Sequence, residues 1–320
     1  NNTGFPFGGS WGVNYYKDLF FTFQFYNRDQ VPLLELFNGT SLWWMMPYNF
    51  GNSRAANHSI GIALGLMDRQ AIDFNDSLDV FITPGSGKEG MLSLNYTFKN
   101  QRIHRRNMFA PNHGYGFSMN HDIVTSAIWG DLDYNKTEID LFTHQKAGPF
   151  SFYARGRYEK LSGEPLPQDR LGIFDIPNYY IAGSFVPGRE YMSPRGFSGE
   201  RYGAQAFMGT VELRAPAAPF QFVEILKIIQ LGNPTIALIS DFGNAWNNDG
   251  DKEELIMTTG LEFRFALSFA KSPLFIFSYG WAQSPEKWGN DFEKLAEMEE
   301  GDVIDVGPKP YFQMTLISPF

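Results

Sequence analysis

Apolar and polar residues alternate with a period of two along much of the chain. In "LEFRFALSFA" (261–270), Leu261, Phe263, Phe265, Leu267 and Phe269 share one face, and Glu262, Arg264, Ala266 and Ser268 the other. "MLSLNYTFK" (91–99) sets Leu92, Leu94, Tyr96 and Phe98 against Ser93, Asn95, Thr97 and Lys99. "FMGTVELR" (207–214) sets Phe207, Val211 and Leu213 against Thr210, Glu212 and Arg214, and "SFYARGRYE" (151–159) sends Arg155, Arg157 and Glu159 to one side. Each is the pattern of a strand with one apolar and one polar face. Further strands are expected near 8–17, 19–28, 40–49, 58–70, 74–83, 111–121, 131–145, 233–246, 271–284 and 309–320, for about 14–16 in all. Helical periodicity is confined to "FQFVEILKIIQ" (220–230), an amphipathic piece between strands, and "DFEKLAEMEE" (291–300), an acidic loop helix.

The intervals between strands alternate in length. Short connections at "KAG" (146–148) and "AKS" (270–272) suit one rim, and long polar ones at about 163–202 and 285–308 suit the other. Short turns on one side and long loops on the other are the habit of an outer-membrane barrel. The chain ends on "PYFQMTLISPF", where Phe312, Met314, Leu316 and Phe320 form an apolar series suited to a closing strand. Closure removes the sheet edges that lipid cannot satisfy.

Composition separates this reading from a soluble β-sandwich, which shows the same local alternation. Aromatic residues make up 17% of the 320 positions, with 31 Phe, 15 Tyr and 7 Trp, while mean hydropathy is only −0.27. A lipid-facing surface with aromatic girdles and a polar interior calls for that combination. The expected fold is therefore all-β: one transmembrane antiparallel barrel over 1–320, closed by its C-terminal strand. No run approaches 18 uninterrupted apolar residues, which excludes a helical membrane protein. The opening "NNTGFPFGG" reads as the interior of a longer protein, so a signal segment and a periplasmic region are expected upstream.

Charge and chemistry then exclude several functions. A net charge of −9 disfavours a nucleic-acid partner. The absence of cysteine removes disulfides, thiolate metal sites and Cys nucleophiles. The histidines at 58, 104, 113, 121 and 144 have no metal-ligand spacing, and no nucleophile elbow or phosphate loop occurs. No enzyme activity, metal or cofactor is expected. The run Arg102, His104, Arg105, Arg106 is expected at a rim, as a solvated turn or against lipid headgroups.

Four elements occur in order in the last part of the chain: "YYIAGSF" (179–185), "SPRGF" (193–197), "GTVELRAP" (209–216) and "ISDFGNAW" (239–246). With the aromatic closing strand, residues 179–320 resemble the barrel domain of the BamA/TamA-type outer-membrane assembly and translocation superfamily, the bacterial surface antigen group. There a segment similar to "YLGG" leads into a long loop tipped by an aliphatic-Arg-Gly-aromatic motif. Strands resembling G-x-x-E-x-R and D-x-G-x-x-W follow. This chain has Pro194 where the family usually has an aliphatic residue and Ala182 where it has Gly, and no POTRA repeats, which in the family receive substrates, lie within these residues.

Phase gives the motif residues a common direction. Asp241 is out of phase with Ile236, Leu238 and Phe242, and Glu212 with Phe207, Val211 and Leu213, so both acids are expected in the lumen. A guanidinium reaching in from the loop can bridge two carboxylates with forked hydrogen bonds. The resemblance implies the same: Arg195 inside the barrel against such acids, with Gly196 and Phe197 in the loop tip and Gly243 in the D-x-G strand. The long external loop is thus expected to fold inward as a peg.

The resemblance implies a barrel that aids insertion or export of polypeptides across the bacterial outer membrane. It would do so through a weak seam between the first strand, opening on "GGSWG" (8–12), and the last (309–320). Outer-membrane lipids, unfolded or secreted polypeptides and accessory envelope proteins are the implied partners. A passive pore, or a barrel that anchors or secretes a separate N-terminal domain, are the alternatives.

Overall fold

The computed structural model describes residues 9–26, 29–48, 57–72, 85–101, 113–174, 179–182, 194–197, 200–217, 223–225, 229–231, 234–247, 255–269, 272–287 and 309–316. The strands are β1 (Ser10–Tyr26), β2 (Asp29–Tyr48), β3 (Asn57–Ile72), β4 (Gly87–Gln101), β5 (His113–Val124), β6 (Asp133–Ala147), β7 (Phe150–Glu164), β8 (Leu171–Phe174), β9 (Tyr179–Ala182), β10 (Glu200–Gly203), β11 (Gln205–Pro216), β12 (Val223–Ile225), β13 (Ile229–Leu231), β14 (Thr235–Trp246), β15 (Ile256–Phe269), β16 (Ser272–Gln283) and β17 (Lys309–Leu316). One 15-stranded sheet runs β1 to β7, then β11, β14, β15, β16, β17 and β9, with β12 and β13 attached beside β15. The pairings along the wall from β1 to β17 are all antiparallel. β8 and β10 form a separate two-stranded ribbon within the long β7–β11 connection.

The two faces of this wall have exchanged the usual roles of core and surface. Leu213, Leu238, Leu261 and Trp281 are successive partners across β11, β14, β15 and β16, and all four are exposed. Leu42 and Leu64, partners on β2 and β3, are exposed as well. The opposite face buries charge: Glu35, Arg69, Glu89, Glu159, Glu212, Arg214, Asp241, Glu262 and Arg264 are each under one-tenth accessible. Soluble proteins almost never bury Lys, Glu, Arg and Asp unless paired, nor cover their outside with a leucine band. A barrel with a lipid-facing exterior and polar lumen does both. Among the described residues no helix is long and apolar enough to cross a membrane.

Several expectations need correction. The two strands expected at 8–17 and 19–28 are, over the described residues, the single strand β1 (Ser10–Tyr26), because Lys17 and Asp18 continue the ladder opposite Asn38 and Phe37 instead of turning. Where the amphipathic stretch 220–230 is described it is extended and not helical, in the short paired strands β12 (Val223–Ile225) and β13 (Ile229–Leu231); β13 adds to β15 by pairing Ile229 to Phe269 and Leu231 to Leu267. The sheet is also not closed by the C-terminal strand. Phe312, Met314 and Leu316 on β17 pair with Tyr279, Phe277 and Phe275 of β16. The other edge of β17 is taken by β9, in parallel register from Phe312↔Tyr179 to Thr315↔Ala182. Among the described residues no pairing joins β1 to β17. Phe320, the 291–300 segment, strand 74–83 and the basic run 102–106 lie outside the described residues.

Leu238 tests the inverted faces. It is 57% exposed and lies on the outward row. Leu238→Arg is expected to cost about 2–4 kcal/mol in refolding into lipid bilayers if this row sits at the hydrocarbon midplane. A water-facing leucine would give a change within about 0.5 kcal/mol. Urea titration of refolding in thin bilayers measures the difference.

Candidate functional site

The long β7–β11 connection enters the lumen as a tight turn. Phe197 N donates to Pro194 O at 3.1 Å, which leaves Arg195 and Gly196 as the central residues. Gly196 has φ +76, the left-handed value that a type II turn demands at its third position. A Cβ there would also lie 2.1 Å from the Ala282 carbonyl oxygen of β16, so glycine is required by both backbone and wall. Pro194 is fully buried, and Phe197 packs against an apolar cluster that includes Leu171, Ile173, Ala206 and Ala245.

A small residue on the wall makes room for this turn: Ala282 of β16, against which Gly196 sits, is fully buried and clusters with Ala237 and Ile239 of β14. Gly243 serves the same approach one strand end away, where a Cβ would meet Phe207 O at 2.6 Å and Ile173 Cδ1 at 2.7 Å.

Every nitrogen of Arg195 donates a hydrogen bond. Its backbone N donates to Asp241 Oδ2 at 2.9 Å, its Nε to the same oxygen at 2.7 Å and its Nη2 to Oδ1 at 2.7 Å. Nη1 donates to Glu212 Oε1 at 2.9 Å and to Glu262 Oε2 at 3.3 Å. Two wall arginines complete the carboxylates' coordination. Arg264 donates to both Glu212 oxygens, at 2.7 and 2.8 Å, and pairs with Glu262 through Nε. Arg214 Nε donates to Glu212 Oε2 at 2.6 Å while its guanidinium lies 4.1 Å over the Tyr153 ring. Thr210 Oγ1 donates to Asp241 Oδ1 at 2.9 Å.

The network thus holds three guanidinium groups against three carboxylates, all buried. Desolvating six charges is tolerable only where each meets its opposite and its hydrogen-bonding capacity is used. Asp241, with 0% exposure, lies at the centre of the Arg195 contacts.

The structure therefore brings Arg195, Glu212 and Asp241 into direct contact, with Gly196, Phe197 and Gly243 shaping the seat. The sequence reading missed Glu262, Arg264 and Arg214 as members. All three lie on the polar faces of alternating strands, but only the register that sets Glu262 opposite Ala237 brings them to the same spot. The lumen is not filled: a cavity of about 530 Å³ adjoins the network, lined by Lys99, Phe142, His144, Tyr153, Arg155 and Arg214 among others.

No protein-family model and no curated protein matches the chain. Among solved structures it is similar to the crystal structure of BamA from Haemophilus ducreyi lacking POTRA domains 1-3, with a TM-score of 0.58 at 13% sequence identity. The match covers 98% of this chain and 59% of that one, so the chain spans less than two thirds of the length of the protein it resembles. The fold is that of a BamA-like barrel, with the outer edge of β1 unpaired among the described residues.

Removing the guanidinium should be costly. Arg195→Ala leaves three carboxylates facing two arginines in a buried site, a change on the order of 3–5 kcal/mol where one member of a buried pair is removed. Arg195→Lys is expected to recover only part of this, because an ammonium cannot fork to Asp241 while reaching Glu212. Unfolding in urea, followed by tryptophan fluorescence in detergent, measures both. Equal stability of wild type and Arg195→Ala would contradict the network's role.

Proposed function

We propose that this chain is the barrel of an outer-membrane assembly or translocation protein, which helps insert or export polypeptides across the bacterial outer membrane. The observation that carries the reading is the external loop drawn into the lumen and fixed by Arg195 on Glu212, Asp241 and Glu262. A barrel whose own loop occupies its lumen is poorly suited to steady diffusion of solutes. That disfavours a passive pore, although the cavity beside the network leaves room for slow leakage.

Three further features support the reading. The fold likeness extends over nearly the whole chain. Exposed apolar rows and buried charge suit a bilayer. The outer edge of β1 has no strand partner among the described residues. An unpaired strand edge presents a row of N–H and C=O groups on which another chain can add as a strand. Trp11, Val13 and Tyr15 on β1 are exposed, as a strand at an interface with lipid or with an incoming chain would be. On this reading the partners are outer-membrane lipids and unfolded polypeptides. The residues of the Arg195 network hold the loop and carry out no chemistry.

Reconstitution tests the proposal. Liposomes holding the chain are expected to speed membrane insertion of an unfolded barrel substrate, assayed by protease protection and heat-modifiable migration, well beyond empty liposomes. Planar bilayers holding the same protein should show low steady conductance, rising in Arg195→Ala. A large, constant conductance in the wild type with no acceleration of insertion would favour the pore instead.

A further inference from the structure

The long connection is held at a second place, far along the wall from Arg195. Just after β7, Leu166 is buried and Pro167–Asp169 forms a single 3-10 turn. Asp169 accepts a forked pair from Arg69 of β3, Nη1 to Oδ2 at 2.7 Å and Nη2 to Oδ1 at 2.8 Å. The same guanidinium donates to Glu89 of β4 at 2.8 Å and to Glu35 of β2 at 2.9 Å, and it lies 5.3 Å from the Phe37 ring centroid. Tyr134 of β6 donates to Glu89 at 3.0 Å.

Gln168 is seated as specifically. Its amide exchanges two bonds with the backbone of Gly85: Gly85 N donates to Oε1 at 2.9 Å and Nε2 donates to the Gly85 carbonyl at 2.8 Å. Nε2 also donates to Glu35 at 2.8 Å. Gln168 is 3% exposed and Arg69 5%, while the Asp169 carboxylate, at 15%, keeps one side nearer solvent than the acids of the Arg195 network.

We propose that Arg69, Gln168 and Asp169 are positioning residues that make the β7–β11 connection a strap fastened at two points of the lumen, one on β2–β4 and one on β11–β16. In sheet order the strands β5, β6 and β7 stand between β4 and β11, so no single stretch of wall provides both fastenings. The ribbon of β8, which follows Asp169, and β10, which follows Arg195, keeps both ends of the strap against the wall. Ile173 is fully buried, Arg201 donates to Asn244 Oδ1 of β14 at 3.0 Å, and Ala204 O accepts from Leu161 N of β7 at 2.7 Å.

The chemistry of the two fastenings is alike and their polarity is reversed. At one, a loop arginine is gripped by wall carboxylates. At the other, a loop carboxylate and amide are gripped by a wall arginine and its acids. Release of Arg195 alone therefore frees the tip and leaves the root of the strap in place. The strap is a feature of the folded chain and stands whether or not the chain inserts polypeptides.

The test uses the absence of native cysteine. In Leu166→Cys protein, maleimide labelling reports release of the root, since the thiol is accessible only when that segment lifts. Asp169→Ala and the milder Gln168→Ala are made in this background. Both act on the loop side and leave Arg69 paired with Glu35 and Glu89. Folding is checked by heat-modifiable migration. The labelling rate is expected to rise about tenfold or more in Asp169→Ala, less in Gln168→Ala, and to stay near the parent in Arg195→Ala. Steady conductance should rise in Asp169→Ala with the Arg195 contacts unaltered. Unchanged labelling in both folded loop variants, or an Arg195→Ala effect equal to that of Asp169→Ala, would overturn the two-point strap. If only Gln168→Ala folds, its labelling rate alone decides.

Discussion

A buried guanidinium demands carboxylates, and this demand organises the lumen. Arg195 cannot stay dry inside the wall unless its donors are matched, and Asp241, Glu212 and Glu262 match them. Those acids in turn repel one another, which Arg264 and Arg214 offset. The result is a set of groups that is stable only when complete. A buried ion cluster of this kind does not by itself make a protein more stable than an apolar core of the same shape. What it does is make one arrangement of the loop far better than its neighbours. A shift of the turn by one residue would leave several charges unpaired.

The same rule explains why the fold is inverted. Once the interior is committed to charge and amide groups, the apolar half of every alternating strand must face outward. Leu213, Leu238, Leu261 and Trp281 then line up as one row because their strands are in antiparallel register. The row and the network are the two faces of the same residues' alternation: Leu213 lies between Glu212 and Arg214, and Leu261 precedes Glu262.

How much of this was legible in the sequence varies with how local the determinant is. Phase along one strand is local, so the inward direction of Asp241 and Glu212 could be read from Ile236, Leu238 and Leu213 alone. Register between strands is not local. The convergence of Glu262 and Arg264 on Glu212 depends on the length and path of the β14–β15 connection, which no alternation encodes. The Arg69 fastening is less legible again, since Asp169 lies 100 residues from its partner and has no motif around it. The stretch 220–230 misled for another reason. Its apolar residues satisfy a helical period and, through Val223 and Ile225 or Ile229 and Leu231, a strand period too. Pairing to the edge of β15 decided between them. Lys17 and Asp18 look like a turn, yet a ladder already committed on both sides carries straight through them.

The open edge and the strap are linked through the chain itself. β9, which lies along β17, belongs to the same connection that supplies Asp169 before it and Arg195 after it. Closing the sheet by pairing β1 with β17 would require β9 to leave that edge, because one edge of a strand accepts one ladder. The fastenings at Asp169 and Arg195 bracket β9 in sequence, so they limit how far it can withdraw while both hold. Four parallel residue pairs hold β9 in place, whereas the fastenings are clusters of charge-assisted bonds, buried at Arg195 and part-buried at Asp169. The weaker contact is therefore the one at the seam. A rearrangement that exchanges β9 for another strand on β17 can proceed with the lumen network intact, and the barrel's edge is the part of this structure most readily changed.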